Sequence, residues 1–250
     1  MSTSESENKR QTTKSSSTDW KLVSDQWSTP LGGEIKPIEN RTVKTHYIIQ
    51  NESTTGHYAL QEYRANSMGQ PTPVGGRAEG FMATTNFVSI LTVFLPDWQP
   101  GIAFRFLGQQ RVAGRRTYVI AFAQHPALSP PLADFQRSSE GVTDRLHLQG
   151  VAWITANDFH ALRLHSDLLY PLPDVRLTRL SGDIDYRPRH VGDSEKIYWL
   201  PVGVTVRLDW AGKRLRNQHI LSDYVLFKVD AHGKIQNAEA STPEAHPPDR

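Results

Sequence analysis

The residues in this chain best suited to chemistry are His165 and Asp167, in the run His165-Ser166-Asp167, together with the more distant His219. On an extended strand, residues two apart project from the same face, so His165 and Asp167 stand side by side. His219 could then complete a two-histidine, one-carboxylate iron site, which leaves coordination positions open for a substrate. The competing reading puts His165 and Asp167 on the wet face of an amphipathic strand beside Arg163. With ten histidines in the chain, an H-x-D spacing arises readily without function. No metal and no cofactor are therefore assigned, and these three residues stand as the candidates to inspect.

Other catalytic arrangements lack their parts. There is no Gly-x-Ser-x-Gly elbow to present a serine nucleophile, and Ser222-Asp223 beside His219 reads as a polar strand start. Gly75-Gly76-Arg77 and Gly32-Gly33 lack the lysine and helix of a phosphate loop. No catalytic residue is assigned, and the chain is read as a non-enzyme. Arg207, Lys213, Arg214 and Arg216 form a basic cluster on the last hairpin, of the kind that solvates a face and protects a sheet edge. Overall, 28 Lys+Arg nearly cancel 26 Asp+Glu, without the clustered excess of a nucleic-acid binder. The chain has no cysteine, which excludes disulfides and thiolate metal sites.

The elements that position these residues are strands. Leu162, Leu164 and Leu168 alternate with Arg163, His165 and Asp167. Val202, Val204, Val206 and Leu208 alternate with Gly203, Thr205, Arg207 and Asp209. Each pattern gives one buried and one wet face. Turn residues at Val112-Ala113-Gly114-Arg115, Ala156-Asn157-Asp158 and Trp210-Ala211-Gly212-Lys213 divide the chain into hairpins over 102–124, 146–168 and 197–229. Further strands are expected over 175–187, 42–50 and 58–64. The expected fold is mainly β (α+β): a curved antiparallel sheet or incomplete barrel of about 8–10 strands, with one or two short helices on its concave face.

Two strands are apolar on both faces: Tyr118, Ile120 and Phe122 alternate with Val119, Ala121 and Ala123, and Tyr224 and Leu226 alternate with Val225, Phe227 and Val229. Such strands lie between two apolar layers or line a pocket. Ala121 and Ala123 leave room for a helix or a ligand, and 86–95 is the segment to fill it, as helix or strand. Trp153, Trp199 and Trp210 fall in strands or at their ends, where tryptophan is usually core. Residues 1–19 and 231–250 are polar and are expected to be disordered, leaving one domain over 20–230. The most apolar run, Phe87 to Leu95, is too short to span a bilayer and is closed by Pro96. The start, Met1 to Glu7, has neither the basic residues nor the apolar run of an export signal, so the expectation is that either the chain stays in the cytoplasm or the sequence lacks its true beginning.

Several runs carry a family likeness: Phe104-Arg105-Phe106-Leu107-Gly108-Gln109-Gln110, Gly114 through Pro126, Leu148-Gln149-Gly150-Val151-Ala152-Trp153-Ile154, Asp167 through Pro173, Trp199-Leu200-Pro201, Arg216-Asn217-Gln218-His219 and Ser222 through Val229. Weaker echoes reach Tyr47 and Leu60-Gln61-Glu62-Tyr63-Arg64. Together they resemble a family of uncharacterised bacterial proteins. More remotely, the layout is similar to the envelope carriers of the LolA and LolB type. The resemblance implies an incomplete barrel whose concave face holds acyl chains under a helical lid, no catalytic residues, and a place in the periplasm or cell envelope. Two positions depart from the pattern: Thr155 stands where an acidic residue is expected, and His165 where arginine is usual.

The leading expectation is thus a non-enzymatic binding domain for a lipid or an acylated protein. Its candidate cavity residues are Phe104, Phe106, Tyr118, Ile120, Phe122, Trp153, Val204, Val206 and Phe227. The alternatives are an interaction module whose core is filled by its own helix, and a metal-dependent enzyme using His165, Asp167 and His219.

Overall fold

The computed structural model describes residues 14–28, 36–54, 57–65, 86–136, 143–191 and 195–228, and the side chains of 14–28, 36–45, 50–54, 57–59, 136 and 226–228 fall outside that description. Within it lie twelve strands: β1 Lys14–Ser28, β2 Lys36–Thr54, β3 His57–Ala65, β4 Ile102–Val112, β5 Arg115–Gln124, β6 Ala133–Gln136, β7 Thr143–Leu146, β8 Leu148–Thr155, β9 Ala161–Leu168, β10 Leu177–His190, β11 Ile197–Trp210 and β12 Lys213–Lys228. Three short 3-10 helices accompany them: η1 Ser89–Phe94, η2 Gln99–Gly101 and η3 Pro173–Val175.

Ten strands form one sheet in the order β3-β2-β1-β12-β11-β10-β9-β8-β5-β4, and β6 and β7 pair separately. Every pairing is antiparallel. The three expected hairpins are β4–β5, β8–β9 and β11–β12. In the first and last, two-residue turns put both central residues at positive φ: Ala113 at 47° with Gly114 at 78°, and Ala211 at 52° with Gly212 at 77°. This is the signature of type I′ turns, whose twist matches that of the strands. β1 pairs with β12 from Lys14↔Lys228 to Ser28↔Lys213, so the first strand closes against the last. β1 thus begins inside the segment 1–19 that composition marked as tail, because ladder pairing supplies the backbone partners that a polar sequence cannot obtain by burial.

The sheet is strongly curved. Laid flat, ten strands would separate β3 from β4 by about 43 Å at roughly 4.8 Å per neighbour. The segment Phe87 to Phe94, only about 15 Å long at roughly 2 Å per residue, nevertheless touches both ends. Glu62 of β3 accepts its first N–H groups, and Phe94 packs on Phe104 of β4 at 5.7 Å. The sheet must therefore wrap around η1. Phe87, Ile90 and Val93 fill the concave side against Tyr47, Ile49, Phe122, Leu164, Ile184, Tyr186, Val204 and Leu221. A second core of Leu146, Leu177, Leu208 and Leu215 lies beside β7 and η3, with Phe135 edge-on to Trp210.

Room for η1 comes from an unexpected place. Ala121 and Ala123 pair with Val151 and Gln149, on the outer face. Opposite the inward Phe122 and Ile120 stand Gly150 and Ala152, and the missing bulk of Gly150 lets the Phe122 ring approach β8 closely. A register shift near Val202 also breaks the expected alternation there: Tyr186 faces Pro201 and Ile184 faces Val204, so Val202 leaves the row that Val204, Val206 and Leu208 keep.

Candidate functional site

Two faces of one sheet present two different kinds of site. On the outer face, β9 and β10 place Arg163, His165 and Asp167 opposite Asp185, Asp183 and Ser181. His165 Nδ1 lies 2.7 Å from Asp183 and Nε2 lies 2.8 Å from Asp167. Both ring nitrogens meet carboxylates, an arrangement that favours the doubly protonated ring. Partial burial pulls its pKa down, but the hydrogen bonds to Asp183 and Asp167 outweigh this and raise it. Burial likewise works against Asp183, yet the hydrogen bonds from Arg207 and His165 hold its carboxyl below the usual range. Arg207 Nη1 donates to Asp183 at 2.5 Å and Arg163 Nε to Asp185 at 3.0 Å.

His219 lies across the sheet. It pairs with Val204 on the inner face and is buried, 4.9 Å from the Phe87 ring and 3.3 Å from Arg64 Nη2. The iron-site expectation therefore fails on geometry: the sheet separates His219 from His165 and Asp167, and both ring nitrogens of His165 already meet carboxylates. Thr155 also has an assignable role. Its hydroxyl donates to Asp158 and accepts the His160 N–H at 2.9 Å, closing the β8–β9 turn where the remote pattern has an acid.

The inner face holds a polar anchor followed by an aromatic track. Val88 supplies no side-chain cap to η1, leaving the first N–H groups without intrahelical partners. Glu62 fills that role from β3: its carboxylate accepts Phe87 N–H at 2.7 Å, Val88 N–H at 2.8 Å and Ser89 N–H. The Tyr47 hydroxyl donates to the same carboxylate, and Tyr186 donates to the Phe87 carbonyl at 2.6 Å. Burial raises the Glu62 pKa, partly offset by those N–H groups. It lowers Arg64 to about 10 and, together with the Arg64 charge, pushes His219 well below the usual histidine value. Sequence reasoning missed this anchor: it placed a strand over 58–64 but assigned no role to Glu62 or Arg64.

At the other end of η1, Phe94 rests on Phe104 and Phe122. The same face continues past it through Phe106, Ile120 and Tyr118: Phe104 pairs with Phe122 and Phe106 with Ile120, Phe106 lies 6.2 Å from Tyr118, and Tyr118 stacks on Phe159 at 6.4 Å. Exposure grows along this track, from 2% at Phe122 to 40% at Phe104 and 61% at Phe106. Five of the nine expected cavity residues thus share one patch of β4 and β5. Val204 and Val206 are on the inner face but sealed in the core around η1. Trp153 is not on this face; it pairs with Val119, and its indole N–H donates to Gln110 at 2.7 Å. The parity of the register decides this, since Val119 alternates with Tyr118 and Ile120. The side chain of Phe227 lies outside the described residues.

No family model and no curated protein matches the chain. Among solved structures, it aligns with a DUF1329 family protein from Desulfovibrio piger at 12% identity and a TM-score of 0.38, covering 84% of this chain and 85% of that one. It aligns with a domain named for outer membrane lipoprotein sorting from Vibrio parahaemolyticus at 10% identity and a TM-score of 0.37, covering 85% of each chain. A LolA superfamily protein from Nitrosomonas europaea gives 11% identity and a TM-score of 0.35, covering 86% of this chain and 87% of that one. The remote likeness read from the sequence is thus represented among these neighbours, but at these scores they carry no functional weight. No helix among the described residues is long and apolar enough to cross a membrane.

Proposed function

We propose that this domain is a non-enzymatic binding domain for an apolar chain, carried by a lipid or by an acylated protein, which lies along the inner face of β4 and β5 beyond the end of η1. The observation that carries the reading is the graded aromatic track from buried Phe122 to exposed Phe104 and Phe106, continuous with the core through Phe94. A continuous strip of aromatic and aliphatic groups suits an unbranched chain, which gains about 0.8 kcal/mol for each methylene taken out of water. The strip offers rings at several successive depths, so chain length sets affinity.

Displacement of a fluorescent fatty acid, compared between the wild type and Phe106→Asp, tests this. Phe106 is exposed, so the variant keeps its fold and loses retention of the probe. Equal retention by the folded variant contradicts the proposal.

A second reading is favoured by one specific observation: Phe87, Ile90 and Val93 of the η1 region already occupy the concave face. On that reading the domain is an interaction module with a self-filled core. It binds no acyl chain, and Phe104 and Phe106 serve as contacts for a protein partner.

A further inference from the structure

The basic cluster on the last hairpin forms a recess. Arg179 of β10, Arg207 and Asp209 of β11, and Leu215 with Arg214 and Arg216 of β12 line a hollow of about 260 Å³ on the outer face. Its charges come from adjacent rungs of the ladder: Arg179 pairs with Asp209 and Asp209 with Arg214, while Ser181 pairs with Arg207 and Arg207 with Arg216. Residues directly opposite one another in an antiparallel pair project from the same side, so the four guanidinium groups gather over three neighbouring strands. Arg207 is held by Asp183. Among the described lining residues, that leaves Arg179, Arg214 and Arg216 facing the carboxylate of Asp209. Asp25 of β1 stands opposite Arg216 in the register.

Among the described residues, two buried polar atoms in the middle rung have no hydrogen-bond partner: Arg216 Nε and the hydroxyl of Ser181, a residue only 1% exposed. A buried donor left unmade is costly, and a protein retains such groups where something else completes them. The hollow is polar, excess-positive and built on a rigid sheet, and it offers forked guanidinium donors that match the oxygens of a tetrahedral oxyanion.

We propose that this recess is a phosphate-binding site, taking a phosphate or phosphate-ester group with Arg216 and Arg214 as its principal donors. It lies on the face opposite the aromatic track and stands independently of the apolar-chain reading. The donor chemistry is shared by a soluble phosphate ester and a lipid headgroup.

The test is calorimetric titration of inorganic phosphate and glycerol phosphate into the full chain at low ionic strength. Parallel co-sedimentation uses phosphatidic acid vesicles against phosphatidylcholine vesicles. Saturable phosphate binding by the wild type is expected, weakened at least tenfold by Arg216→Met and by the separate variant Arg214→Gln. Arg163→Met, which removes an arginine on the same face but outside the recess, leaves it unchanged. The second recess variant keeps the test decisive should Arg216→Met fail to fold. Sedimentation with phosphatidic acid that free phosphate competes away assigns the site to a headgroup, and binding of the soluble compounds alone assigns it to a soluble ester. Absence of saturable binding, or equal loss in Arg163→Met, overturns the proposal.

Discussion

Glu62 accepts the Phe87 N–H at 2.7 Å, so a carboxylate from one edge strand of the sheet caps a helix whose far end rests on the opposite edge strand. The sheet is curved because this bridge is short. Replacing Glu62 by Gln keeps the shape but leaves one acceptor oxygen for three N–H groups and turns an amide NH₂ toward donors. Hydrogen bonds to charged groups contribute about 1.5–3 kcal/mol each, and a loss of roughly 2–3 kcal/mol is expected for Glu62→Gln. Denaturant unfolding measures the loss, and hydrogen exchange should show faster exchange at the Phe87, Val88 and Ser89 amides.

Gly150 is required by close approach. A Cβ there would lie 2.1 Å from the His165 carbonyl oxygen and 2.8 Å from Cζ of Phe122. Neither the β9 backbone nor a ring pinned under Phe94 can move aside, so Gly150→Ala should cost about 3 kcal/mol or more. Thermal denaturation reads this directly, and a cost near zero would show that β8 and β9 separate more easily than their pairing implies.

The turn alanines are strained in the opposite sense. Ala211 sits at a φ of 52°, where an L side chain crowds its own backbone by about 1–2 kcal/mol. Glycine relieves this while adding freedom to the unfolded chain, so Ala211→Gly should stabilise the protein by roughly 0.5–1 kcal/mol. Ala113→Gly should do the same in the β4–β5 turn, and the two gains should add because the turns share no contact.

The two histidines give opposite pH dependence. His219 has its folded pKa lowered by burial and by Arg64. As pH falls below about 6.5, the unfolded chain takes up a proton that the folded chain refuses, and stability is lost toward acid. His165 has its folded pKa raised, so its contribution is complete below about 6.5 and disappears as pH rises through the folded value. Urea unfolding between about pH 5 and about pH 8 should show a smaller acid-side loss in His219→Gln and a smaller alkaline-side loss in His165→Asn. Exchange of these two effects would mean that the faces are assigned the wrong way round.

Much of the fold was legible because hairpins announce themselves locally. Ala113-Gly114 and Ala211-Gly212 mark I′ turns, and the strands between them carry period-two alternation. Pairing of β1 with β12 was not legible: it joins the two ends of the chain through a polar strand whose sequence lacks alternation. The aromatic track was found by face, since Phe104, Phe106, Ile120 and Phe122 alternate regularly on two paired strands. Trp153 was misplaced because apolar residues occur on both sides of β8, and only its partner Val119 fixes the parity. Glu62 escaped for a general reason: a buried carboxylate is recognised by the N–H groups that converge on it, and those come from a helix 25 residues away in sequence.

The most direct test of the carrier reading is native mass spectrometry of gently purified protein, with the solvent extract analysed for lipids. The proposal predicts added mass matching one acyl-bearing molecule, absent from Phe106→Asp prepared in the same way. A bare mass for the wild type, in protein shown to be folded and kept from detergent throughout, would contradict it and leave the self-filled interaction module.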